Sequence, residues 1–197
     1  PSSPRSQLRN AVQAVFKSWY ADKAQSYRKI EGIPDDLGTA VNIQRMVFGN
    51  LNNSSATGVA FSRNPNNGDK VVYGDFLVNA QGEDVVAGTH KTSPLSDIHT
   101  AFPIVGNELN GILYILEREL RDMVDIEFTI EDGKLYMLQA RVGKRNPQAA
   151  VKIATEMLSE GLIDIDESKA RIDAAHENWT EPSEAESIQT SGNVIAT

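Results

Sequence analysis

The sequence predicts an α+β fold, an antiparallel sheet flanked by helices. Strand-like runs cluster between Gly38 and about Val86, and return in one hairpin from Asp125 to Arg141. Helical periodicity is strongest before, between and after those clusters, so strands and helices are partly segregated rather than alternating. Asn- and Ser-rich turns join the runs at short intervals, as in a meander of antiparallel strands.

Residues 6 to 20 carry Leu8, Val12, Val15, Phe16 and Trp19 at helical spacing, with Ser6 as the expected N-cap. A second helix is expected over 21 to 30, ending near Gly32 and Pro34. Val41, Ile43, Met46, Val47 and Phe48 form the first strand run, Val59 to Phe61 the second and Val71 to Val78 the third. Residues 104 to 122 make the strongest helix, with Leu109, Ile112, Leu113, Leu116 and Leu120 on one stripe. After the hairpin, Asn146 caps a helix with Pro147 at its first position. Its apolar face is Val151, Ile153, Ala154, Met157 and Leu158. Beyond Gly161 the chain turns acidic and polar, with a short helix near 166 to 176 and a linker over 180 to 192. The expected organisation is a helical connecting segment (1–37), a sheet-bearing subdomain (38–160) and a helical and linker segment (161–197).

The formal net charge of −8 argues against generic attraction to nucleic acid or anionic lipid. One local cationic pocket for phosphate stays compatible with it. With no cysteine, disulfides, thiolate zinc sites and cysteine nucleophiles are excluded. No apolar run approaches the roughly 20 residues that span a bilayer, and no signal peptide is visible. A cytoplasmic protein is expected, or an organellar one in a eukaryote. His90, His99 and His176 share no spacing with each other or with a nucleophile and read as structural or solvated. The start Pro1-Ser2-Ser3-Pro4 and the end after Val194-Ile195-Ala196 read as cuts in a longer polypeptide.

The chemistry concentrates in the hairpin. Asp125, Glu127 and Thr129 alternate with Ile126, Phe128 and Ile130, whereas Leu135, Tyr136, Met137 and Leu138 run together without alternation. The turn decides which side chains share a face. A two-residue Asp132-Gly133 turn pairs 131 with 134 and sends Glu127 and Gln139 to opposite faces. A three-residue Glu131-Asp132-Gly133 loop pairs 130 with 134, setting Asp125 opposite Gln139, Glu127 opposite Met137, Ile126 opposite Leu138 and Phe128 opposite Tyr136. In that register Asp125, Glu127, Gln139 and Arg141 share one face. Sequence permits both; the three-residue loop makes chemical sense and is the expectation. Mg²⁺ takes oxygen ligands, usually one or two carboxylates with phosphate oxygens and water. Glu127 and Gln139 can supply two, and Arg141 can brace a phosphate with its planar fork. Taken alone, the same set is better explained by the exposed polar face of an ordinary hairpin, since short matches recur by chance.

Four stretches carry a resemblance that covers most of the chain, to about residue 175. They are Gly38 to Asn50 (GTAVNIQRMVFGN), Thr57 to Pro65 (TGVAFSRNP), Asn79 to Gly88 (NAQGEDVVAG) and Arg121 to Arg145 (RDMVDIEFTIEDGKLYMLQARVGKR). They resemble the pyruvate phosphate dikinase family, in the C-terminal part of its ATP-grasp nucleotide-binding domain. The resemblance implies an ATP-grasp-type lobe, ATP and Mg²⁺ as cofactors, Glu127 and Gln139 as metal ligands, Asp125 as support, and Arg141 on the terminal phosphates. It further implies that Gln44 and the Met46 backbone read adenine from an exposed strand, and that Glu83 serves the ribose or orders the site. Without it, Gln44 is a solvated strand residue and Glu83 a lone acid after glycine.

In the family, a pyrophosphoryl group passes from ATP to a histidine on a swivelling domain, phosphate takes one phosphoryl group, and a barrel hands the other to pyruvate. The N-terminal grasp lobe, phosphohistidine domain and pyruvate-binding barrel are not in this sequence, so this piece alone is expected to be inert and its parent homodimeric. The Gly49 to Gly58 loop (GNLNNSSATG) lacks the lysine and glycine spacing of a Walker loop. Ala56 and Asp75 stand where the family usually has glycine and glutamate. The alternatives are phosphoenolpyruvate synthase, another dikinase such as glucan water dikinase, or a non-catalytic α+β interaction module.

Overall fold

The structure is a computed structural model that describes residues 3–86 and 91–177, Val86 by its backbone only. The expected linker over 180–192, the C-terminal Val194-Ile195-Ala196 and His90 lie outside the described residues. The chain divides into two compact units at Met46/Val47.

The first unit holds α1 (Pro4–Ser18) and α2 (Asp22–Glu31). Ser3, not Ser6, is the cap of α1: its side chain accepts from the Ser6 amide, and Pro4 takes the first turn, where no N–H is needed. Gly32, at φ 65°, ends α2 in the left-handed conformation that glycine adopts without strain. Arg28 holds the pair of helices together. It stacks 3.9 Å from the Trp19 ring centroid, donates to the Trp19 carbonyl at 2.8 Å and meets Asp35 at 2.8 Å. The strand expected over 41–48 does not form; residues 39–48 are irregular. A strand needs a neighbour for its backbone N–H and C=O groups, and among the described residues this segment has none.

The second unit is built on a five-stranded antiparallel sheet in the order β3-β2-β1-β4-β5. Its strands are β1 (Ala56–Phe61), β2 (Tyr73–Val78), β3 (Ser93–Pro94), β4 (Val124–Glu131) and β5 (Lys134–Val142). Between β2 and β4 come the short helices α3 (Gly82–Val86) and α4 (Ile98–Ala101), then α5 (Pro103–Leu120). The last helices are α6 (Pro147–Ser159), capped by Asn146 as expected, and α7 (Ile165–Glu177). One face of the sheet is closed by α5. Ile126, Phe128 and Ile130 of β4 and Phe76 of β2 pack against Val105, Leu109 and Leu113, all nearly without exposed surface. A second apolar cluster joins Met123 to Ala149, Ile153 and Met157 of α6, with Ile163. Between these clusters lies Arg63, fully buried and ion-paired to Glu117, Glu156 and Glu160.

Among the described residues no helix is long and apolar enough to cross a membrane.

Candidate functional site

β4 is an interior strand, between β1 and β5, and β5 is the sheet edge. Residues of β4 that point away from α5 are Asp125, Glu127 and Thr129, because their neighbours Ile126, Phe128 and Ile130 fill the core. The register of β5 decides which of its residues join them.

The expected three-residue loop is not what forms. Glu131 pairs with Lys134, so the turn is the two-residue Asp132-Gly133. Both turn residues have positive φ, 50° and 77°, the geometry whose twist suits a tight hairpin. The tip is held from outside: Asn52 donates to the Asp132 carboxylate, the Ser55 hydroxyl accepts from the Asp132 amide, and the Ser54 carbonyl accepts from the Gly133 amide. Those contacts occupy much of the Gly49 to Gly58 loop, which here braces the hairpin.

With that turn alone, Glu127 and Gln139 would part. A β-bulge corrects the count. Phe128 pairs with Met137 and Glu127 with Gln139, leaving Leu138 as the extra residue. Beyond it Ile126 faces Ala140, Asp125 faces Arg141 and Val124 faces Val142. The pairings expected for Asp125 with Gln139, Glu127 with Met137 and Ile126 with Leu138 are therefore each two residues off, and that of Phe128 with Tyr136 is one off. The four polar residues nevertheless share a face, since directly opposed residues project to the same side with Cβ atoms about 4.5–5.5 Å apart.

Glu127 is half-buried and lines a shallow pocket with Thr57, Gly58, Val59, Gly82, Val85 and Leu138. Neither Glu127 nor Gln139 makes a side-chain hydrogen bond to another described residue, so their oxygens are unspent. Arg141 is tied through Nε to Asp125 at 2.7 Å, with the Asp125 side chain 7% exposed. That hydrogen bond, its charge, and Glu127 nearby hold the guanidinium more firmly protonated than usual. Only Nε is engaged, so the two Nη groups remain for a ligand.

Among the described residues no three His, Asp or Glu side chains converge to cage a metal ion. The donor set is instead one carboxylate and one amide oxygen on adjacent strands. That fits Mg²⁺, which keeps waters and takes phosphate oxygens rather than an all-protein shell.

Glu83 is exposed on α3, whose Gly82 and Val85 flank the Glu127 pocket. Gln44 and Met46 belong to the first unit, in its irregular segment, with Met46 58% exposed. Asp75 accepts from the Thr92 hydroxyl at 3.2 Å. His99 is structural: its ring meets Asn110 at 3.1 Å and lies where a Cβ on Gly106 would sit. Two residues of structural weight escaped the sequence reading. Leu138 creates the bulge, and its signal was the broken alternation from 135 to 138. Arg63 had only its place after the β1 run as a signal.

The family described as "Pyruvate phosphate dikinase, AMP/ATP-binding domain" matches residues 3–96 and 105–162. Among curated proteins, the chain is 52% identical over 187 residues to a pyruvate, phosphate dikinase of Rhizobium meliloti (strain 1021), covering 89% of this chain and 21% of that relative. It is 49% identical over 174 residues to the enzyme of the same description from Clostridium symbiosum, covering 88% of this chain and 20% of the relative. A chloroplastic one from Flaveria trinervia is 51% identical over 176 residues, 89% of this chain and 18% of the relative. The chain thus spans about a fifth of the length of these relatives.

Proposed function

Since the chain belongs to the pyruvate phosphate dikinase AMP/ATP-binding family, we propose that it is the part of a longer dikinase that holds Mg-ATP for phosphoryl transfer to a histidine elsewhere in the polypeptide. The whole protein would convert ATP, phosphate and pyruvate to AMP, pyrophosphate and phosphoenolpyruvate. The observation that carries this reading is Glu127 set directly opposite Gln139, beside the Asp125–Arg141 pair, on the sheet face away from α5.

Glu127 and Gln139 hold Mg²⁺ through oxygen. The ion, when bound, draws charge from the phosphate oxygens. Asp125 fixes Arg141 by its Nε, and the free Nη pair meets the terminal phosphates in a forked contact. Transfer of a phosphoryl group asks mainly for such positioning and charge cancellation. Gln44 and the Met46 backbone take the adenine, and Glu83 the ribose or the ordering of the site. A grasp lobe, a phosphohistidine domain and a pyruvate-binding barrel of the same polypeptide complete the enzyme, in a homodimer. The cytoplasm, or an organelle in a eukaryotic cell, is its place; several relatives are chloroplastic by name.

The test is AMP formation by the full-length protein carrying this chain. It should require both pyruvate and phosphate, and Glu127→Ala should abolish it while leaving the unfolding temperature within a degree or two, since Glu127 makes no core contact. AMP formed over many turnovers without phosphate, or a fully active Glu127→Ala protein, would overturn the reading.

A further inference from the structure

The four site residues occupy a short stretch of ladder. Only four residue pairs, 124–142, 125–141, 126–140 and 127–139, lie between the bulge at Leu138 and the open end of the hairpin. β4 is secured there on both sides. Its other neighbour β1 continues into Ser62, whose amide donates to the Val124 carbonyl and whose hydroxyl accepts from the Val124 amide. β5, an edge strand, has β4 alone. Gln139 and Arg141 therefore ride on a segment loosened by a bulge at one end and free to fray at the other.

The open end carries a clamp. Asp122, just before β4, is 7% exposed. Arg145, just after β5, grips both of its oxygens, at 2.8 Å and 3.0 Å, and donates to the Gly143 carbonyl at 3.2 Å. The Asp122 carboxylate also accepts from the Met123 amide, whose own carbonyl accepts from the Gly143 amide at 2.8 Å. Arg171 of α7 approaches the same carboxylate at 3.4 Å and donates to the Arg121 carbonyl. None of these groups faces the pocket at Glu127.

We propose that Asp122 and Arg145 are positioning residues for Arg141, closing the hairpin mouth so that the edge strand presents the guanidinium at a fixed place. This rests on the reading of Arg141 as the phosphate-bracing residue. The fork geometry matters: lysine keeps the charge but cannot span two carboxylate oxygens and a carbonyl.

The test uses the full-length protein with R141A, R145A, R145K and the double variant R141A/R145A. Amide hydrogen exchange over residues 139–143 should speed at least tenfold in R145A, with residues 134–136 beyond the bulge unchanged. The kcat for AMP formation should fall about tenfold in R145A and less in R145K, with KM for ATP changed under threefold. In the R141A background, R145A should lower kcat by less than a further twofold, because its effect runs through Arg141. Should R145A not fold, R145K carries the same comparison. Unchanged exchange, or losses that multiply fully in the double variant, would overturn the proposal while leaving the function standing. An R141A protein with undiminished kcat would instead overturn the reading of the site, and this proposal with it.

Discussion

Replacing Arg63 with alanine should destabilise the chain by about 3–5 kcal/mol, the usual cost of removing one partner from a buried ion pair. Arg63 has no exposed surface, and its guanidinium meets Glu117 at 2.9 Å, Glu156 at 3.1 Å and Glu160 at 2.8 Å. The last two carboxylates are 33% and 24% exposed and can turn to water. Glu117 cannot: at 9% exposed it would keep only the Ser62 hydroxyl as donor. The loss is thus one stranded carboxylate and a void, within the stated range. Urea unfolding followed by circular dichroism measures it, and the unfolding temperature should drop by roughly 6–20 °C. Acid adds a second check. Burial alone would raise the Glu160 pKa, but Lys70 and Arg63 outweigh it and hold the carboxyl below its ordinary 4.5. A depressed pKa gives stability that is present above pH 4.5 and lost as pH falls through the folded value. That acid-sensitive share should shrink in Arg63→Ala, where Lys70 alone remains. A loss under about 1 kcal/mol at neutral pH would refute the argument that Glu117 depends on Arg63.

Three other outcomes are expected. The chain by itself should bind Mg-ATP weakly in calorimetry, because in the proposed function a second lobe supplies part of the contacts and each lost 1.4 kcal/mol is about tenfold in affinity; micromolar binding would contradict it. Gln44→Ala in the full-length protein should raise the KM for ATP with little change in kcat, as expected for a contact to the base far from the reacting phosphates; a collapsed kcat at constant KM would assign Gln44 another task. Gly58→Ala should cost about 1–3 kcal/mol in urea unfolding, since overpacking is seldom absorbed. Its Cβ would stand 2.6 Å from the Phe128 ring and 2.7 Å from the Asp75 carbonyl oxygen.

Elements that bury a face were legible in the sequence. The stripe Leu109, Leu113 and Leu116 gave α5, and Asn146-Pro147 gave the start of α6, because capping and apolar periodicity are local properties. Residues 39–48 show strand-like apolar spacing yet form no strand, since pairing depends on a neighbour that local pattern does not specify. The hairpin was half legible. The alternation on β4 assigned faces correctly, and the family resemblance pointed at the four polar residues. The turn was misjudged because a loop and a bulge shift the register equally. The break in alternation at Leu138 was visible but was not read as the place where the extra residue sits. Arg63 was illegible for another reason: its three carboxylate partners come from α5, α6 and the C-cap of α6, more than fifty residues away.

The bulge has a consequence for how such a hairpin can change length. What keeps Glu127 and Gln139 on one side is that the bulge absorbs the one residue by which the two-residue turn would otherwise set them apart. Deleting Leu138 alone would remove the extra residue and leave a regular ladder in which Gln139 still faces Glu127 and Arg141 still faces Asp125. The hairpin can therefore lose its bulge residue without turning over the outer half of the edge strand.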